Sequence, residues 1–199
     1  MPRVAREIEL GFPMHVTQRG NNRQNIFRDE EDKEFYMRSF MHYKRLAKVK
    51  LYGWCLMDNH VHFVIEPIRL NSLSKLFLHL NNRYVSYFNS KYGVSGRLFQ
   101  GRYYSCILDE DHFLEALRYV ELNPYRAKME LVPGNYEWTS AHEHLKKRNK
   151  FFITPLPKRI WVDDWWDFLY PNDINENIWD RIRNVTYSTK EFKIEKPIK

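Results

Sequence analysis

Two pairs of residues, widely separated in the chain, carry the chemistry this sequence offers. His60 and His62 stand two apart in the run Leu56-Met57-Asp58-Asn59-His60-Val61-His62-Phe63-Val64-Ile65. The apolar residues bracket them as a short buried strand does, and on a strand residues i and i+2 point to one face. Two imidazoles held side by side can share one metal ion, with Val61 and Phe63 turned into packing. The spacing alone equally suits two histidines satisfied beside a core. His142 and His144 give an internal contrast: residues 140–149 are charged and read as a helix, where i and i+2 diverge by about 200° and cannot chelate. The second pair is Tyr119 and Asn123, i and i+4 on a segment that reads as a helix from Asp109 or Asp111 to Pro124. A phenol and an amide so spaced share a face, beside the apolar stripe of Phe113, Leu117 and Val120. A half-buried tyrosine with its hydroxyl bonded, and an asparagine that ends a helix before proline, are the plain alternatives.

The elements that must position these groups follow from periodicity. Residues 14–19 read as a first strand, closed by Gly20 and the turn-prone Asn21 and Asn22. Asp29 is placed to cap a helix that carries Tyr36, Phe40, Tyr43 and Ala47 to Lys48. A hairpin over 51–67 follows, turning at Asp58 and Asn59. A long helix begins near Ser72 and ends at Gly93, a C-cap position. Residues 97–108 have strand character broken at Gly101, and the helix bearing Tyr119 comes next. Strand, helix, hairpin, helix, strand, helix is an α+β order with a largely antiparallel sheet covered by helices. Beyond Leu131 the character changes, which divides the chain into 1–131 and a basic, aromatic C-terminal extension, 132–199. There Trp161, Trp165 and Trp166 are expected to anchor the tail on the main domain.

At 199 residues, 43% hydrophobic and 16% aromatic, the chain can bury a substantial core. Cys55 and Cys106 are its 2 cysteines, and they have no zinc or redox spacing. No signal-like or membrane-spanning run is evident, so a cytoplasmic setting is expected. The net charge of +7 and a pI near 9.3 suit a nucleic-acid partner. Arg19 and Arg23 line the first loop, and Arg97 and Arg102 flank Gly101, where they could hold phosphate.

Taken together, His60-Val61-His62 after Leu56-Met57-Asp58-Asn59, the segment Phe99-Gln100-Gly101-Arg102-Tyr103-Tyr104-Ser105, and Tyr119-Val120-Glu121-Leu122-Asn123-Pro124 with Arg126-Ala127 resemble the REP-associated tyrosine transposases of the HUH superfamily. Val16-Thr17-Gln18-Arg19-Gly20-Asn21 is similar to that family's first strand and loop. The resemblance covers about residues 10–140. It implies a ferredoxin-like fold and a metal-dependent endonuclease cutting single-stranded DNA beside palindromic hairpins through a 5′-phosphotyrosine intermediate. By position it implies His60 and His62 as metal ligands, Asn123 as a polar third ligand and Tyr119 as nucleophile, with Arg19, Arg23, Arg97, Arg102 and Arg126 as DNA contacts. Tyr125 competes nearby, but the matching position is usually aliphatic. Lys128 departs from the family, where glycine is common, and Thr186 to Phe192 resembles its C-terminal motif only faintly.

Two imidazoles with an amide bind Mn²⁺ readily, while abundance favours Mg²⁺. Glu66 shares the parity of His60 and His62 but lies a pair further on, a poor fourth ligand. The rival reading is a nucleic-acid-binding regulator on the same fold that cuts nothing. A replication-initiator or relaxase-like nuclease shares the chemistry, but its larger members need domains this chain has no room for. Related enzymes include obligate dimers, and the longer tail here favours a monomer, so both states are carried forward.

Overall fold

Each strand of the sheet alternates between two buried faces, and that alternation sets the architecture. The computed structural model describes residues 7–132, 134–147, 150–170 and 176–188. Four strands, β1 (Met14–Arg19), β2 (Val49–Met57), β3 (His60–Pro67) and β4 (Tyr104–Ile107), form one antiparallel sheet in the order β2-β3-β1-β4. With α1 (Glu30–Ala47) after β1 and α2 (Ser72–Tyr92) after β3, the chain runs β-α-β-β-α-β, the ferredoxin-like arrangement. Then come α3 (Glu110–Glu121), α4 (Asn123–Arg126), α5 (Ala141–His144), α6 (Trp165–Leu169) and α7 (Glu176–Ser188).

One face packs against α1 and α2 through Val16, Leu51, Trp54, Leu56, Val61, Phe63 and Ile65. Phe40 of α1 stacks on Phe63 with ring centroids 4.3 Å apart. The other face, built on Tyr52, Cys55, Met57, Val64 and Cys106, packs against α3 and α7. Leu51 and Trp54 share a face although three apart because the register shifts between Leu51 and Gly53, a bulge that resets the period of two. Gly53 lets α3 approach closely there: a Cβ would meet Leu117 Cδ2 at 2.6 Å, so that side chain would have to shift.

Local signals set the helix ends. The Asp29 carboxylate accepts from Asp32 N–H at the start of α1, and Asp109 accepts from His112 N–H at the start of α3. Gly93 closes α2 at φ +62°. Lys91 near the end of α2 meets Asp29, Glu31 and Asp32, tying the two helices together.

Three expectations are corrected. Strand character over 97–108 is realised only in β4; Leu98 and Phe99 are both buried, which breaks alternation, and Phe99 makes a lone bridge to Gly20. The helix expected over 140–149 is the single turn α5, since Ser140 is held to β2 by its N–H on the Trp54 carbonyl; Arg148 and Asn149 lie outside the described residues. The helix bearing Tyr119 stops at Glu121, and Asn123 begins the separate turn α4.

The segment after Leu131 returns along the free edge of β2. Leu56 N–H donates to Trp138 O, Ser140 N–H to Trp54 O and Thr154 N–H to Leu51 O, at 2.9, 2.9 and 2.6 Å. An edge that would otherwise be open is thereby covered. Of the three tryptophans expected to anchor the tail, Trp165 does so, donating to Glu121, whereas Trp161 and Trp166 are 77% and 40% exposed; Trp179 of α7 is the fully buried one. Aromatic content alone does not say which ring faces inward. Among the described residues no helix is long and apolar enough to cross a membrane.

Candidate functional site

The site lies on the α3/α7 face of the sheet, where β3 meets β1. His60 and His62 project there together, with ring centroids 4.8 Å apart and planes at 82°. In the antiparallel register Thr17 pairs with His62 and Arg19 with His60. His15, two residues before Thr17, therefore reaches the same face, and its ring stacks on His62 at 5.1 Å. His15 Nε2 lies 2.9 Å from His62 Nδ1, and His15 Nδ1 lies 2.8 Å from Thr186 Oγ1 of α7. The Thr186 hydroxyl donates to Ile182 O at 2.6 Å, and Cys106 Sγ sits 3.0 Å from the same oxygen. His60 Nδ1 lies 2.6 Å from Asn59 Oδ1.

Burial keeps all three imidazoles uncharged at neutral pH. His15 is pushed down to about 3 by burial and then by His60; His60 is pushed down to about 4 by burial and then by Arg19. His62 falls well below the ordinary histidine value, again chiefly through burial. Neutral imidazole is the form that binds metals.

Tyr119 comes to the same place. Its ring centroid is 5.5 Å from that of His62 and 5.6 Å from that of His15. The ring is 3% exposed, more buried than its offset from the α3 apolar stripe suggests, because α7 lies across it with Trp179 at 6.1 Å. Burial pushes the phenol pKa up and the Tyr187 phenol adds to this; Arg126, Arg183 and the Asn123 amide pull it down. Asn123 Nδ2 donates to Tyr119 O at 2.8 Å, leaving the amide oxygen as its remaining acceptor. Tyr125 is 42% exposed and lines a different cleft with Lys128, Leu131 and Arg183.

The five arginines separate into three places. Arg19 and Arg23 line an open cleft of about 510 Å³ with Asn22, Gln100, Tyr104 and Tyr187, beside the histidines. Arg97 and Arg102 line a second cleft, about 400 Å³, against Asn81 and Asn82 of α2. Gln100 borders both, so the two arginine pairs lie on adjoining clefts near the start of β4. Arg126 lies over the Tyr119 and Trp179 rings, at 5.7 and 4.8 Å. A further cavity of about 220 Å³ lies at the other end of β3; there Glu66 accepts from Lys50 and Tyr52, at 2.7 and 2.6 Å, and is engaged away from the histidines.

Among the described residues no three His, Cys, Asp or Glu side chains converge as a metal-binding group. His15 does not complete a trio, because its Nε2 faces His62 Nδ1 rather than an open point. What the donors do fit is a two-imidazole site. Asn59 Nδ2 donates to Arg23 O, so its Oδ1 faces His60, whose Nδ1 carries the proton and whose Nε2 keeps its lone pair. A ring nitrogen fixed by a carbonyl-type acceptor behind it is the usual support for a ligating histidine.

Sequence reasoning missed His15 and Trp179, and met Thr186 only as the first residue of a faint C-terminal motif, not as a partner of the histidines. For His15 the signal was present: a histidine on a strand whose register with the His60 strand puts both on one face.

Fold and site together describe an α+β protein with a histidine pair on a central strand and a tyrosine facing it from a helix. The chain belongs to the IS200-like transposase family, whose profile matches residues 11–123, more than half of its length and the span from before β1 through Asn123. Among solved structures, a REP-associated tyrosine transposase described as bound to a REP hairpin aligns with a TM-score of 0.61. That alignment covers 82% of this chain and 96% of the other at 13% identity, a likeness of fold. Among curated proteins, none matches this sequence significantly.

Proposed function

We propose that this protein is a metal-dependent single-strand DNA endonuclease and strand transferase that acts beside palindromic hairpins through a 5′-phosphotyrosine intermediate. The observation that carries the proposal is the 5.5 Å approach of the Tyr119 ring to His62, itself beside His60, on one face of one chain. Because phenol and imidazoles belong to the same chain, a monomer would hold a whole site, although a homodimer is compatible with it.

In this reading His60, His62 and the Asn123 amide oxygen hold a divalent ion, Mg²⁺ or Mn²⁺. When bound, such an ion neutralises charge on the non-bridging phosphate oxygens and orients the scissile phosphate. Tyr119 Oη attacks phosphorus and passes its proton to water, the same solvent from which the departing 3′ oxygen takes one. The bond from phosphorus to the 3′ oxygen breaks, its electron pair stays on that oxygen, and a proton taken up there yields a free 3′-OH. The 5′-phosphate remains esterified to Tyr119, so a 3′-OH can reverse the step and rejoin strands. The Arg126 and Arg183 guanidiniums favour the phenolate that burial disfavours.

DNA reaches this centre along the two adjoining arginine clefts. Arg19 and Arg23 take phosphates beside the histidines, and Arg97 and Arg102 take them beyond Gln100. The hairpin bound by the solved relative is the kind of substrate expected. A cytoplasmic setting suits such a substrate.

The test is incubation with Mg²⁺ or Mn²⁺ and a hairpin-bearing oligonucleotide, followed by a denaturing gel. A covalent protein–DNA band that disappears with EDTA and in Tyr119→Phe is expected, with binding retained in the variant. Salt-sensitive binding that ignores EDTA and yields no band would favour the non-cutting regulator.

A further inference from the structure

Thr186 lies outside the residues that the IS200-like transposase profile matches, yet it touches the histidine cluster. We propose that Thr186, acting through His15, is a positioning residue that sets His62 in the tautomer whose Nε2 lone pair is open to a cation. The inference rests on the metal-site reading above and extends it to residues that touch no ligand.

A threonine hydroxyl has one proton, and that of Thr186 goes to the Ile182 carbonyl, which can only accept. Toward His15 Nδ1, at 2.8 Å, the Thr186 oxygen is therefore an acceptor, and Nδ1 carries hydrogen. Cys106 S–H supplies the second bond that this oxygen accepts. His15 is 1% exposed, and its two ring nitrogens face only the Thr186 hydroxyl and His62, with no carboxylate to hold a second proton on the ring; with Nδ1–H in place its Nε2 is therefore bare. The proton in the 2.9 Å contact with His62 must then sit on His62 Nδ1, which leaves His62 Nε2 unprotonated. Asn59 imposes the same tautomer on His60 from the other side. Both histidines are held with Nδ1–H inward and Nε2 bare, one by a neighbouring amide and one by a relay that ends in α7.

Removing the hydroxyl breaks the relay. In Thr186→Val, His15 Nδ1 has no acceptor, and the proton can move to His15 Nε2, where it donates to His62 Nδ1. His62 then carries its proton on Nε2, and a cation must displace it. Loss of such an outer partner typically weakens metal binding 10–100-fold.

Two measurements on the full chain without DNA test this. Long-range ¹⁵N–¹H spectra of the metal-free protein report the tautomer of His62 directly. Titration with Mn²⁺ alone reports affinity. The wild type is expected to show His62 as Nδ1–H; Thr186→Val should shift it toward Nε2–H and weaken Mn²⁺ at least tenfold, and Thr186→Ser should restore both. A wild-type His62 protonated at Nε2, or a Thr186→Val protein with unchanged tautomer and Mn²⁺ affinity, overturns the proposal. If the wild type binds no Mn²⁺ the metal-site reading fails, and the spectra still judge the relay.

Discussion

The two faces of the sheet are made by the same strands and do opposite work. Toward α1 and α2, β3 presents Val61, Phe63 and Ile65, and the packing around them is hydrocarbon and aromatic. Toward α3 and α7 it presents His60, His62 and Glu66, and the neighbours are His15, Cys106, Tyr119 and Thr186. A period of two lets one strand present an apolar core on one side and, on the other, the polar groups to which the proposal assigns the chemistry. The chemical face is almost as deeply buried as the core, so its polar atoms need partners inside the protein. Glu121 shows the same logic at the next position along: 1% exposed, it accepts from Ser140 and Trp165 and meets His144.

The sharpest contrast should come from Phe63→Ala against His62→Ala. Phe63→Ala removes a stacked core ring and should cost about 3–5 kcal/mol in urea unfolding, whereas His62→Ala should cost clearly less and abolish the covalent product. Equal destabilisation by the two would erase the distinction between the faces.

Between pH 6.5 and 5, above the range where the carboxylates of the Lys91 cluster take up protons, acid should act chiefly on the chemical face. The folded-state pKa values of His15 and His60, about 3 and about 4, lie below the unfolded value of 6.5, so the unfolded chain binds protons first. Stability in EDTA is then full above pH 6.5 and falls as pH drops toward those values. The loss is about 2 kcal/mol for one such histidine between pH 6.5 and 5. Melting curves of the wild type and Phe63→Ala should show the same pH slope; a flat profile would mean that these rings are charged or exposed in the folded state.

Arg23→Ala should weaken oligonucleotide binding and reduce the slope of log K against log salt by about 1, as measured by fluorescence anisotropy. An unchanged slope would remove Arg23 from the DNA path. The smallest effect expected is at Lys128, which holds φ +56°. Lys128→Gly relieves a left-handed non-glycine and should raise stability by up to about 1 kcal/mol; a loss instead would mean that the side chain contributes contacts worth more than the strain.

Much of the fold was legible because its signals are local. Asp29 and Gly93 mark helix ends, Asp58-Asn59 marks the hairpin, and short apolar runs bounded by polar residues mark its strands. The two-residue spacing of His60 and His62 and the ordered motif around Tyr119 were legible for the same reason. What was not legible depends on contacts between distant segments. His15 looks like one polar residue in an alternating strand until the register with β3 is known. Thr186 and Trp179 belong to a helix that only tertiary packing brings over Tyr119, which is why the phenol reads as half-free in sequence and is enclosed in the fold. Asn123 was placed on the wrong helix because Leu122 ends α3 one residue before Pro124 would have required it.

The central claim is that Tyr119 becomes the covalent carrier of the DNA 5′ end, supported by a cation at His60 and His62. Peptide mapping by mass spectrometry, after reaction with Mn²⁺ and a hairpin-bearing oligonucleotide, tests it most directly. The account predicts a 5′-phosphonucleotide on the peptide containing Tyr119, absent in EDTA and in His62→Ala. A modification on Tyr125, or an adduct that forms equally well without the divalent ion, would contradict it.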